Sequence, residues 1–279
     1  MNLINYNGQL IPSDQALFSA KDRMIRYGDG LFESIRIFKG KIPFWEDHFK
    51  RLLRGIEWLH FPLPKHYNTA FFQNEIYKLI GRSTNARVRL TVYREAEGLY
   101  CPQAAKSLFL IEALPLENDN YTWPNQGLDV GIAQTAKVLS HPLSGLKTHN
   151  SLPYILAAIE KKKRALDDCL ILNENGAIAE ASSANLFCIQ NTQLWTTDQQ
   201  QGAIEGVMQQ QIISIAKQLG IPVFRRSIFP THLHRASEVF LCNAIQGIRW
   251  VQSFGTNNYD CQKSRQIFRA LVKKVEENQ

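Results

Sequence analysis

The chain has 279 residues, 44% of them hydrophobic and 20% charged, with 32 basic against 25 acidic side chains and a net charge of +7. That length supports a substantial core and two lobes, and the sequence shows no internal repeat, no low-complexity tract and no segment apolar and long enough to span a bilayer. Five scattered cysteines without a CxxC pair argue against a disulfide framework or a cysteine zinc site, and an N-terminus without a basic region before an apolar stretch makes the cytoplasm the expected location.

Along the chain, residues 31–38 alternate and are rich in large apolar side chains, Gly40 marks a tight turn, and residues 42–44 continue as a second strand, which together predict a hairpin. Apolar residues recur at helical spacing over 45–59 (Trp45, Phe49, Leu52, Leu53, Ile56, Leu59) and again over 70–80, where Gly81 stops the pattern. Residues 87–93 and 107–113 read as strands, so the first lobe, 1–117, is α+β. The polar stretch 118–127, with Pro124 and Gly127 and no periodicity, reads as a linker. The second lobe, 128–279, offers strands at 129–133, 169–173, 186–190, 194–196, around Val223 and at 239–242, with helices at 152–165, 207–219 and 264–276. Many short strands with few helices between them argue against a doubly wound parallel sheet. The densest basic run, Lys161-Lys-Lys-Arg164, ends a predicted helix, where cations complement the helix dipole and face water.

One constellation carries chemistry. Lys147 follows a Gly-containing turn in Pro142-Leu-Ser-Gly-Leu-Lys147-Thr-His-Asn150. A lysine so placed can hold an aldehyde as a Schiff base, a later carboxylate such as Glu180 can keep a pyridine ring protonated and electron-withdrawing, and the helix opening at Gly206-Val207-Met208 can grip a phosphate through its N–H groups. This order of parts points to pyridoxal phosphate. Alone, Lys147 reads as a solvated lysine and Glu180 as an exposed residue after the turn Asn173-Glu-Asn-Gly176.

The motifs Arg26-Tyr-Gly-Asp-Gly-Leu-Phe-Glu33, His48-Phe-Lys-Arg51, Lys147, Ala179-Glu-Ala-Ser-Ser-Ala-Asn-Leu-Phe187, Glu205-Gly-Val-Met208 and Asn243-Ala244 occur in this order, and by them the chain resembles the class IV aminotransferase family, covering nearly its whole length. The resemblance implies an α+β, two-domain fold-type IV pyridoxal phosphate enzyme with the cofactor in the interdomain cleft, working as a homodimer. It implies that Lys147 is the internal Schiff-base lysine and later the base that moves the α-proton, which needs an amine neutral part of the time. It implies further that Glu180 pairs with the pyridine nitrogen, that Arg51, Gly206, Val207, Met208, Asn243 and Ala244 hold the phosphate, and that Asn150 is also among the cofactor-binding residues.

Within the family, Asn150 falls where the aminodeoxychorismate lyases and D-amino acid aminotransferases carry an asparagine, and Leu152 stands near where branched-chain enzymes have a tyrosine. Ser34 keeps a hydroxyl where the lyases have threonine and could shuttle a proton during elimination; facing water is its equally weighted alternative. Asn243-Ala244 with Gly247 is also closer to the lyase form. Against this, the loop Tyr93-Arg-Glu-Ala-Glu-Gly-Leu-Tyr100 has Leu99 where some lyases place an arginine. Candidate substrate carboxylate contacts are Tyr27, Arg87, Arg89 and Arg94, with alternation placing Arg87 and Arg89 on one strand face and Arg94 on the other. The favoured reading is an aminodeoxychorismate lyase that makes 4-aminobenzoate and pyruvate in folate synthesis; the alternative is a branched-chain or D-amino acid transaminase.

A nucleic-acid-binding or scaffold role would rest on net charge alone, without aromatic interleaving. Thr231-His-Leu-His234 lacks nearby metal-ligand partners, so no metal is expected, and Gly28-Asp-Gly30 precedes a strand and lacks the third glycine of a dinucleotide fingerprint.

Overall fold

The computed structural model describes residues 3–15, 17–81, 85–95, 98–103, 106–118 and 120–277. Met1 and Asn2 of the N-terminus, Ala96 and Glu97 of the loop after Tyr93, and Asp119 of the linker lie outside the described residues. The chain forms two compact units: Met1–Asp119 with Leu146–Asn150, and Asn120–Gly145 with Ser151–Gln279.

The first unit is built on an antiparallel sheet of five strands, β1 (Leu3–Tyr6), β2 (Gln9–Pro12), β3 (Gly30–Ile37), β4 (Ala86–Arg94) and β5 (Ser107–Pro115), in the order β2-β1-β5-β4-β3. Asn7 and Gly8, both at positive φ (49° and 86°), make the two-residue turn that joins β1 to β2. A short helix, α1 (Arg23–Tyr27), ends at Gly28 in the left-handed region. The expected hairpin over 31–44 does not form: β3 pairs with β4 from Gly30–Tyr93 to Ile37–Ala86, and residues 42–44 contain no strand. Only Phe38 and Lys41 bridge around Gly40, since Pro43 lacks an N–H and Phe44 turns left-handed (φ 58°) to start α2 (Trp45–Trp58).

Alternation along β3 and β4 separates two faces. Leu31, Ile35, Val88, Leu90 and Ile111 are buried on the face that meets α2 and α3 (Thr69–Ile80), which contribute Phe49, Leu52, Ile56, Phe72 and Ile76. Each such side chain contributes roughly 1.5–3 kcal/mol of burial energy. Gly55 lets α2 come close, because a Cβ there would lie 2.8 Å from Leu31 Cδ1. The other face carries Phe32, Ser34, Arg87, Arg89 and Thr91.

The second unit holds a mixed sheet of β6 (Leu128–Val138), β7 (Asp168–Asn173), β8 (Ile178–Ala181), β9 (Asn185–Gln190), β10 (Gln193–Thr197), β11 (Val223–Arg226), β12 (Glu238–Asn243), β13 (Gly247–Phe254) and β14 (Asn257–Asn258). Its order is β11-β10-β9-β12-β13-β6-β7-β8, with β14 on β13. A bridge from Ile178 to Ile228 brings β8 back to the segment after β11, so the sheet curls around a core that includes Leu170, Leu186, Cys188, Leu241 and Val251. The helices are α4 (Leu152–Lys163), α5 (Val207–Gln218), α6 (Pro230–Leu233) and α7 (Gln262–Glu277). No helix among the described residues is long and apolar enough to cross a membrane.

Candidate active site

In the first unit Lys147 is held by backbone pairing. Phe32 N–H donates to the Lys147 carbonyl (2.9 Å), His149 N–H donates to the Gly30 carbonyl (3.0 Å), and Thr148 bridges Leu31, so residues 147–149 form a short antiparallel addition to the edge of β3. Lys147 therefore stands opposite Phe32, with Nζ 4.4 Å from the ring centroid. Arg89 Cζ lies 3.7 Å from the same centroid, and Ser34 is directly opposite Arg89 in the β3–β4 register. Lys147, Arg89 and Ser34 thus share one face. Burial pulls the Arg89 guanidinium below its ordinary value, with Glu112 opposing and Arg87 adding to the shift. Arg87 is on this face but exposed. Asn150 is exposed, its Oδ1 3.0 Å from where a Cβ on Gly28 would sit.

Arg51 makes a two-point contact with Glu33 from the opposite face of β3: Nε to Oε1 at 2.8 Å and Nη2 to Oε2 at 2.6 Å, with His48 Nδ1 also 2.7 Å from Oε2. Burial alone pushes the Glu33 carboxyl up, but the Arg51 charge and the hydrogen bonds from His48 and Arg51 outweigh it and hold the group at about 2. Arg51 and His48 share one side of α2 because they are three residues apart. The sequence pattern contains Glu33 and His48 without revealing that they meet.

Arg94 is engaged elsewhere. Its Nε contacts Asp29 Oδ2 (3.0 Å), Nη1 the His60 carbonyl (3.1 Å) and Nη2 the Leu59 carbonyl (2.6 Å), while Arg23 Nε also contacts Asp29 Oδ2 (2.7 Å). Arg94, expected as a substrate carboxylate contact, lies on the face away from Arg89 and directs three of its N–H groups to the protein itself. Arg23 carries further bonds to the carbonyls of Gly98, Leu99 and Tyr100, and Tyr27 packs against Tyr100 with ring centroids 5.4 Å apart.

In the second unit Glu180 is 3% exposed on β8, where its local sequence suggests a surface residue. Oε1 accepts from the Tyr154 hydroxyl (2.8 Å) and the Ile204 N–H (3.0 Å), and Oε2 accepts from Asn185 Nδ2 (3.4 Å). Burial, followed by the Glu180 charge and hydrogen bond, pushes the Tyr154 hydroxyl far above its ordinary value, so Tyr154 remains a donor. Neither Tyr154 nor Asn185 stands out in the sequence as a partner of Glu180, since their link to it exists only in the fold.

Asn185 Nδ2 also holds the Ile204 carbonyl at 2.8 Å, and a Cβ on Gly206 would lie 1.8 Å from Asn185 Oδ1. Gly206 is the N-cap of α5, which has no side-chain cap and no acid in its first turn, while Val207 and Met208 are buried. That donor set suits an anion at the start of the helix. At the end of β12, Asn243 Oδ1 accepts from the N–H groups of Ile245 (3.0 Å) and Gln246 (2.8 Å), and the Ala244 carbonyl accepts from the Tyr121 hydroxyl (2.8 Å).

Taken piece by piece, these residues fit pyridoxal phosphate: a lysine, a buried carboxylate that accepts from a hydroxyl, a side-chain amide and a backbone N–H, and a helix start without a side-chain cap. Comparison with known proteins agrees. Residues 30–254 match the family model described as amino-transferase class IV, and the chain belongs to that family. It is a pyridoxal phosphate-dependent enzyme of the lyase or transaminase kind, with the α+β fold of its family. The aminodeoxychorismate lyase of Vibrio harveyi is 25% identical over 228 residues, 81% of this chain and 83% of the relative. The D-alanine aminotransferase of Listeria monocytogenes is 26% identical over 246 residues, 84% of this chain and 81% of the relative. The branched-chain aminotransferase of the thermophilic archaeon Thermoproteus uzoniensis, solved with norvaline, superposes with a TM-score of 0.87 at 24% identity, covering 99% of this chain and 96% of that one.

Proposed function

We propose that this enzyme is an aminodeoxychorismate lyase, releasing 4-aminobenzoate and pyruvate for folate synthesis in the cytoplasm as a homodimer. The observation that supports this reading is the shared face of Lys147, Arg89 and Ser34 on β3 and β4, where they would act as base, carboxylate-binding cation and hydroxyl proton donor. Similarity to the Vibrio harveyi lyase supports it.

When bound, pyridoxal phosphate supplies an aldehyde for the substrate amine and a ring that makes the adjacent α-proton acidic. In this reading Lys147 holds the aldehyde and afterwards takes the α-proton on Nζ, while Glu180 receives the pyridine N–H. The first turn of α5, with Arg51 and the turn at Asn243-Ala244, holds the phosphate. Arg89 binds a substrate carboxylate, and Ser34 Oγ delivers a proton as the ring substituent departs. Asn150, three residues after Lys147, belongs with the cofactor-binding residues.

The second reading is a transaminase acting on a branched-chain or D-amino acid, favoured by the similarity to D-alanine aminotransferase. Both readings begin with proton removal by Lys147 and diverge after it. The test offers the purified enzyme aminodeoxychorismate, and separately leucine or D-alanine with 2-oxoglutarate. Formation of 4-aminobenzoate and pyruvate supports the lyase; glutamate without 4-aminobenzoate replaces it with the transaminase.

A further inference from the structure

The pairing that seats Lys147 seats a second titratable side chain beside it. With Thr148 bridging Leu31, side-chain alternation points Lys147 and His149 to the same face of the β3 edge. His149 stands opposite Gly30, and a Cβ on that residue would come within 2.9 Å of His149 Cδ2, so glycine makes the room the imidazole occupies. The His149 ring centroid is 5.4 Å from that of Phe32, the same ring that carries Arg89 at 3.7 Å and Lys147 Nζ at 4.4 Å. His149 Nε2 is buried and has no hydrogen-bond partner among the described residues. A buried polar atom left unsatisfied is destabilising, and a ligand that bonds it recovers that cost on binding.

Resting on the pyridoxal phosphate reading of Lys147, we propose that His149 is a substrate-contacting specificity residue which, with Arg89 across the Phe32 ring, recognises a carboxylate of the amino acid substrate. Arg89 supplies the charge, and the neutral imidazole, in the tautomer that carries its one proton on Nε2, supplies one directed N–H. Burial first, and then the Arg89 charge, hold the imidazole at about 4 against an opposing hydrogen bond to the Leu31 backbone, so near neutral pH the ring is uncharged and the cationic role stays with its neighbour. Glu112 stands opposite Arg89 in the β4–β5 register, and its charge opposes the lowering of the Arg89 guanidinium by burial. The arrangement differs from a bare arginine contact in being directional: a carboxylate must present one oxygen to each partner.

The test uses cofactor-loaded wild type, His149→Phe and His149→Asn, with loading measured by the visible absorbance of bound cofactor. Dissociation constants for pyruvate and for 4-aminobenzoate are measured by calorimetry, alongside KM and kcat for the substrate that turns over. His149→Phe keeps a ring on Phe32 but lacks the donor. It is expected to load fully, to weaken one of the two carboxylates by about tenfold, and to raise KM by a similar factor while kcat changes less than about threefold. His149→Asn, which restores an N–H, is expected to recover most of the affinity. The carboxylate that weakens identifies which end of the substrate His149 reads. A wild type that loads while His149→Phe binds both carboxylates unchanged would overturn the role of His149 alone. A wild type that fails to load cofactor at Lys147 would overturn the underlying reading, and this assignment with it.

Discussion

The Tyr154 hydroxyl donates a 2.8 Å hydrogen bond to Glu180 Oε1, joining the start of α4 to a carboxylate on β8 that is 3% exposed. A buried anion loses much when one of its donors is removed, because the remaining charge is poorly solvated. Tyr154→Phe is expected to lower unfolding free energy by about 1.5–3 kcal/mol, the range for a hydrogen bond to a charged group, and to weaken cofactor affinity. Urea unfolding and cofactor titration of the variant check both effects; unchanged stability would show that the bond contributes nothing.

Glu33 gives a pH signature. Its folded value of about 2 lies below the ordinary 4.5, so its contribution to stability is fully present above about 4.5 and is lost as pH falls towards 2. At about 1.4 kcal/mol per pH unit the contribution is roughly 3 kcal/mol. Glu33→Gln should remove it and leave Arg51 and His48 without their anion, a cost of about 3–5 kcal/mol at neutral pH. Unfolding curves at pH 6, 4 and 3 should show the wild type losing stability through this window faster than the variant.

Arg89 and Arg94 separate by position. Arg89→Leu is expected to raise KM for a carboxylate substrate at least about tenfold with a small change in melting temperature. Arg94→Leu leaves two backbone carbonyls without their donor and Asp29 with Arg23 alone, and should instead lower stability by about 3 kcal/mol or more. Kinetics and thermal melts of the pair decide this, and a reversed pattern would restore Arg94 as the substrate contact.

Much of this framework is legible in the residues themselves. Helical periodicity gives α2, α3, α5 and α7 to within a residue or two, and alternation puts Arg87 and Arg89 on one face and Arg94 on the other, as β4 does. Other features are hidden for physical reasons. β8 is four residues long and buried throughout, so Ile178-Ala-Glu-Ala181 has no two-sided pattern, and the burial of Glu180 depends on Tyr154 and Asn185 arriving from elsewhere in the chain. β13 escapes pattern reading because Arg249, Gln252 and Ser253 interrupt its apolar positions. The β1–β2 hairpin does carry a local signal, Asn7-Gly8, that a closer reading of turn chemistry would find. The pairing of Glu33 with Arg51 joins a strand to a helix 18 residues away and follows from no local rule.

Gly206 offers a steric test of the anion site. A methyl group there meets Asn185 Oδ1, which is fixed through the bonds of its own amide to Ile204 and Glu180. Gly206→Ala should displace Asn185 at a cost of about 1–3 kcal/mol and weaken cofactor binding about tenfold or more. A cofactor titration that matches the wild type would rule out this role for the glycine.

The most direct test of the central proposal is chemical. Protein incubated with pyridoxal phosphate is reduced with borohydride, digested and mapped by mass spectrometry. The expected result is a single phosphopyridoxyl modification on Lys147, absent from Lys147→Ala, whose activity is also lost. Modification of a different lysine, or full activity in Lys147→Ala, would contradict it.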